Sequence, residues 1–283
     1  MKTRIISAAV GIIIFIAAVF AAVEISPLIF HVLLAAVGCV AVYEAVKSTG
    51  YVKSRFLLIS SLVYAAITPF IYSIELVEHE LDFNLPIKHE VCLILYAVII
   101  FTVSMLKHKD IAPMQVTYTF TVTVAITFAF WSLAAIFSSP DDHGLFYMLL
   151  TFMAAWVCDS GAYFAGYFFG KHKMAPEISP KKTIEGAVGG VIADVIFMLV
   201  ACLIFNHFSD EAANIPLILG ITPVLAFAGM MGDLIFSYIK RDCGIKDYGK
   251  IMPGHGGILD RFDSVVTIAP LMYLALAHFE LVI

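Results

Sequence analysis

The chain has 283 residues, of which 61% are hydrophobic and 14% charged, with a formal net charge of −5. A soluble domain carries about a quarter charged residues, so this composition excludes an ordinary water-soluble globular protein. It points to an all-α polytopic membrane protein, because helices satisfy their own backbone inside lipid. A nucleic-acid partner is not expected.

Apolar runs of about 20 residues, the length that crosses a bilayer, recur along the chain. They predict nine transmembrane helices at 5–23, 27–46, 56–75, 88–106, 115–137, 145–169, 185–206, 215–239 and 264–283. The first follows Lys2 and Arg4 and has the outline of a signal peptide. Its apolar run Ile5–Val23 is long enough to span, so it is expected to remain as the first helix. With the N-terminus cytoplasmic and the spans alternating, every one of the 17 basic residues except Lys88 falls on the inside. Basic residues favour the cytoplasmic side, which supports nine spans with the N-terminus in and the C-terminus outside. The expected division is 1–137, five N-terminal spans, and 138–283, a four-span catalytic region whose site faces the cytoplasm.

Cys39, Cys92, Cys158, Cys202 and Cys243 match no zinc spacing and no disulfide framework. They read as small apolar fillers.

The two longest inside loops, 170–184 and 240–263, are also the most basic, and chemistry is expected there. At the end of the eighth span, Asp233, Ser237, Lys240 and Arg241 are spaced i, i+4, i+7, i+8 and share one helix face. Asp233 lies about 10 Å deeper along the axis than Lys240 at 1.5 Å per residue. A carboxylate at that depth must be paired, hydrated or metal-bound. Asp260 and Asp263 would share a face as the ninth span begins. Acids favour a helix N-terminus, but two so close repel unless a cation sits between them. With Asp233, they form a candidate divalent-metal set of hard oxygens that suits Mg²⁺; whether a second cation joins it is left open by the sequence.

The stretch PGHGG, 253–257, can turn tightly and present N–H groups to phosphate oxygens, or simply turn. His255 could bind phosphate, shuttle a proton or hold the loop. In 170–190, four lysines suit lipid headgroups, and Gly186, Gly189 and Gly190 suit close helix packing. Glu44, Asp159 and Asp194 lie within apolar runs and suggest a hydrated pocket. The set as a whole suits phosphoryl or nucleotidyl transfer to a membrane lipid. Cation-coupled transport would also account for the intramembrane acids, and a lipid kinase would use similar phosphate contacts.

The segment SYIKRDCGIKDYGKIMPGHGGILDRFD, 237–263, resembles the signature of the phosphatidate cytidylyltransferases, S-x-x-K-R, K-D-x-G and P-G-H-G-G-x-x-D-R-x-D. Met252 stands where Leu, Ile or Phe is more usual. SPKKTIEGAVGG, 179–190, and DSGAYFAGYFFGKHK, 159–173, are also similar to the family. The resemblance implies a multi-span helical enzyme, commonly a homodimer; the compact length suits a bacterial cytoplasmic membrane. Such enzymes make CDP-diacylglycerol and pyrophosphate from CTP and phosphatidate with Mg²⁺. It implies Asp233, Asp260 and Asp263 as metal ligands. Lys240, Arg241, Asp260 and Asp263 would be catalytic. Ser237, Lys181, Lys182, Lys246, Asp247, Gly254, His255, Gly256, Gly257 and Arg261 would bind substrate phosphates or complete the pocket.

Overall fold

The structure is a computed structural model that describes residues 2–81, 88–252, 254 and 256–283. The described residues are mostly helical, with one two-stranded hairpin. The elements in order are α1 (Lys2–Glu24), α2 (Leu28–Ser48), α3 (Arg55–Leu81), α4 (His89–Leu106), α5 (Pro113–Phe137), α6 (Gly144–Phe169), β1 (Lys173–Ala175), β2 (Ser179–Thr183), α7 (Ile184–Phe208), α8 (Ile215–Asp242), α9 (Leu259–Phe262) and α10 (Val265–His278). Each of the nine apolar segments read from the sequence falls on one of these helices. Among the described residues, seven helices are long and apolar enough to cross a membrane, and Ile13–Glu24 and Val265–His278 are shorter apolar helices.

Three local features differ from the expectation. The loop after α6 folds into an antiparallel hairpin, with Lys173 opposite Thr183 and Ala175 opposite Ser179. Glu185, in the first turn of α7, anchors its start by accepting the backbone N–H groups of Lys171 (3.0 Å) and His172 (3.1 Å) and meeting His172 Nδ1 at 2.6 Å. The eighth helix runs on to Asp242, so Lys240 and Arg241 sit in its last turn. The ninth predicted span, 264–283, is helical only to His278. Beyond it Phe279 is extended, Ile283 exchanges backbone hydrogen bonds with Ala212, and the Leu281 carbonyl accepts the Asn214 N–H. The 14 residues of α10 give about 21 Å of helix.

The chain divides into two compact units: residues 1–134 with 242–262, and residues 135–241 with 263–283. In the first, α2 packs on α1 and α3, and the short α9 lies against α2. Tyr64 and Tyr96 stack at 4.4 Å between ring centres, and the Tyr96 hydroxyl meets Ser61 Oγ at 3.0 Å. These contacts place the polar atoms of buried tyrosines on partners, as an apolar interior requires.

In the second unit the main contact is α6 on α7. It is built from small residues. A side chain at Gly190 would meet the Cys158 carbonyl oxygen at 2.7 Å, and one at Gly161 would meet Ala193 Cβ at 2.6 Å. The glycines of the 186–190 cluster therefore do what their spacing suggests: they let two backbones approach, as membrane helices do in the absence of a hydrophobic driving force. Gly232 does the same for α8, where an added Cβ would lie 2.6 Å from the Asp263 carbonyl. Thr267 Oγ1 donates to the Ala228 carbonyl at 2.7 Å across that contact. The five cysteines are all unpaired by disulfides, and Cys158 and Cys202 are buried.

Candidate active site

The second unit brings together the residues of the α8 end, the hairpin and the start of α10. Lys182, on β2, meets Asp233 Oδ2 at 2.6 Å, at an angle off the hydrogen-bonding direction. Ser237 Oγ donates to Asp233 Oδ1 at 3.1 Å, as the i, i+4 spacing requires. Arg241 Nε donates to the Ile178 carbonyl at 3.3 Å, tying the helix end to the hairpin turn. Lys240 is buried, at 6% exposure, whereas Lys181 is exposed.

Asp263 lies in the link between α9 and α10 and is also buried. Its Oδ1 accepts the Ser264 N–H at 2.9 Å. Burial pushes its carboxyl well above the usual carboxylate range. The charges of Asp233 and Asp159 push the same way, against the opposing Lys240 ammonium. Asp159 is one of the residues, with Glu44, Asp194 and His255, whose role the sequence left open. The structure places it beside this cluster, with Ser264 Oγ donating to its Oδ2 at 3.2 Å. The signal that marks it is its position as an acid inside an apolar run.

The first unit holds the rest of the signature. Gly254 and Gly256 have φ of 82° and 86°, the left-handed region that glycine adopts without strain. Met252 N–H donates to the Gly256 carbonyl at 3.1 Å and closes the turn. Asp260 is 7% exposed, and its Oδ2 accepts the N–H groups of Tyr248 and Gly257, each at 2.9 Å. The N–H of Gly257, one of those expected to face phosphate, is thus directed at this carboxylate. Lys246, Asp247 and Arg261 are exposed. A cavity of about 450 Å³ is lined by Lys246, Asp247, Tyr248, Lys250 and Ser48 among others, a size within the range of small-ligand pockets. His255 lies outside the described residues.

Among the described residues, no three His, Cys, Asp or Glu side chains stand close enough together to hold a metal ion. The donor chemistry of Asp233 and Asp263 nonetheless fits a small hard cation. Both offer carboxylate oxygens, and Asp263 is a buried carboxyl that an adjacent positive charge would stabilise. In this arrangement the Lys182 ammonium stands at Asp233.

Comparison with known proteins agrees with the signature. Over 140 residues the chain is 45% identical to the phosphatidate cytidylyltransferase of Staphylococcus aureus strain COL, a match covering 50% of this chain and 52% of that protein. The proteins of the same name from Staphylococcus haemolyticus strain JCSC1435 and Staphylococcus epidermidis strain ATCC 12228 are 47% and 46% identical over the same length. In these matches the chain spans about half the length of the curated relatives. The profile of the cytidylyltransferase family matches residues 2–279, nearly the whole sequence, and the chain therefore belongs to the cytidylyltransferase family.

Proposed function

We propose that the protein is a phosphatidate cytidylyltransferase, transferring CMP from CTP to phosphatidate to give CDP-diacylglycerol and pyrophosphate in phospholipid biosynthesis. The observation that carries this reading is the cluster in the second unit, where Lys182 of β2, Asp233, Ser237 and Lys240 of α8, and Asp263 of the link before α10 converge. A phosphate oxygen of phosphatidate attacks the α-phosphorus of CTP. The bond to the β-phosphate oxygen breaks, and pyrophosphate leaves with the electron pair. The nucleophile is already an anion, so no strong general base is required. The protein's part is positioning and charge neutralisation. Lys181, Lys182, Lys240 and Arg241 act on the phosphates, with Ser237 holding Asp233 in place.

Asp233 and Asp263 would hold Mg²⁺, and Asp260 belongs to the same set by its place in the signature. When bound, the ion neutralises phosphate oxygens. Lys246, Asp247 and the 254–257 turn are assigned to the nucleotide. The same reading places the chain in a bacterial cytoplasmic membrane as a homodimer, with nine spans, the N-terminus inside and the site open to the cytoplasm.

The experiment is pyrophosphate release by the purified protein in detergent, with phosphatidate, Mg²⁺ and each nucleoside triphosphate in turn. Release with CTP that requires both lipid and metal is the expected result. Folded protein that releases none with any nucleotide would overturn the assignment.

A further inference from the structure

Glu44 lies on α2, far in sequence from the signature, and it is 2% exposed. Its Oε2 accepts the Leu259 N–H at 2.9 Å. Its carboxyl group also packs against two signature glycines. An added Cβ at either Gly249 or Gly257 would lie 2.6 Å from Glu44 Cδ, and at both positions the three nearest atoms all belong to Glu44. Neither glycine has positive φ, unlike Gly254 and Gly256. Their lack of a side chain thus answers to the space that Glu44 occupies and not to backbone conformation. One helical turn further along α2, Ser48 Oγ donates to the Tyr248 carbonyl. Asp260 Oδ2 then links Tyr248 to Gly257 through their N–H groups. One helix face therefore grips both ends of the segment 248–259.

A carboxyl group is costly to bury. An apolar residue of similar size would fill the same space without that cost but would leave the Leu259 N–H without its acceptor. We propose that Glu44 is a positioning residue for the reaction. It seats the segment that directly follows Lys246 and Asp247, and it is the reason the K-D-x-G motif ends in glycine. The role in catalysis rests on the cytidylyltransferase reading; the clamp itself does not.

The test uses the full chain, purified in detergent, as Glu44→Ala, Glu44→Gln, Gly249→Ala and the double variant Glu44→Ala/Gly249→Ala. Amide hydrogen exchange over 246–260 and the kinetics of pyrophosphate release with CTP and phosphatidate are measured on each. Loss of a buried hydrogen bond to a carboxyl group predicts that Glu44→Ala speeds exchange of this segment and lowers kcat/KM for CTP, each about tenfold, with α6 and α7 unchanged. Glu44→Gln, which keeps an acceptor oxygen, stays within about twofold of the parent. Gly249→Ala is damaging alone, but adding it to Glu44→Ala costs nothing more, because the atoms it strikes are gone. Parental exchange over 246–260 in Glu44→Ala, or a Gly249→Ala defect that persists in the double variant, overturns the proposal. So does a Glu44→Ala defect confined to overall melting, with kcat/KM unchanged. If the parent protein releases no pyrophosphate, the exchange data and the double variant still decide the clamp, and only the activity reading fails.

Discussion

Replacing Lys182 by Met removes the ammonium that stands 2.6 Å from Asp233. At an effective dielectric of about 20, the attraction at that separation is about 6 kcal/mol before desolvation. Both side chains are roughly a quarter exposed, at 22% and 24%. Solvent screening and the desolvation both ions undergo bring the net coupling down to about 1–3 kcal/mol. The loss is not symmetric between the partners. Without Lys182, the Asp233 carboxylate loses its nearest cation and still faces Asp263, with Lys240 left to oppose them, whereas Asp233→Asn removes one of the repelling groups along with the pair. Lys182→Met should therefore destabilise more than Asp233→Asn, and the double variant should resemble Asp233→Asn alone. For a chain of this size, 1 kcal/mol corresponds to about 2–4 °C in Tm, so the expected drop for Lys182→Met is about 2–12 °C. The assay is thermal unfolding of the four proteins of the cycle in detergent, without nucleotide or divalent metal. Strictly additive losses, or a Lys182→Met protein that melts no lower than Asp233→Asn, would refute the electrostatic account of this cluster.

The α6–α7 contact gives a second prediction. Gly190→Leu must push against the Cys158 carbonyl, and overpacking of this kind costs about 1–3 kcal/mol. A lowered Tm and a smaller yield of folded protein check it, while the same change at the open position Gly220, where an added Cβ meets nothing within 4 Å, should be nearly silent. A third concerns Asp141, in the link before α6. Burial alone would raise its carboxyl, but hydrogen bonds from the Tyr147 hydroxyl (2.6 Å), Ser139 and the His143 N–H outweigh it and hold the group below its ordinary value. A depressed folded value means stability present above the unfolded value, about 3.9, and lost as pH falls through the folded one. Tyr147→Phe should therefore lower Tm near neutral pH, and its deficit against the parent should shrink as pH falls below about 4, read from melting curves across pH.

The helices were legible in the sequence because hydropathy over about 20 residues reports directly on lipid solvation and needs no knowledge of partners. The same holds for the face shared by Asp233 and Ser237, which follows from helical spacing and is confirmed by their hydrogen bond. The turn glycines Gly254 and Gly256 could be read as a turn because positive φ is a local property.

What stayed hidden is long-range. The hairpin 173–183 depends on Glu185 capturing two backbone N–H groups from across the loop. The early end of the last helix depends on Leu281–Ile283 finding an edge at 212–214. No local signal separates Glu44, which packs on a loop about 200 residues away, from Asp159, which sits beside Ser264. Both are acids in apolar runs, and the sequence marks such a residue as needing a partner without saying which. Membership of the cytidylyltransferase family, the helical class and the identity of the polar residues were thus determined by sequence alone. Which carboxylate meets Lys182, and which glycines make room for Glu44, were decided only when packing brought distant segments together, because the cost of burying a charge is settled by whatever stands beside it in space.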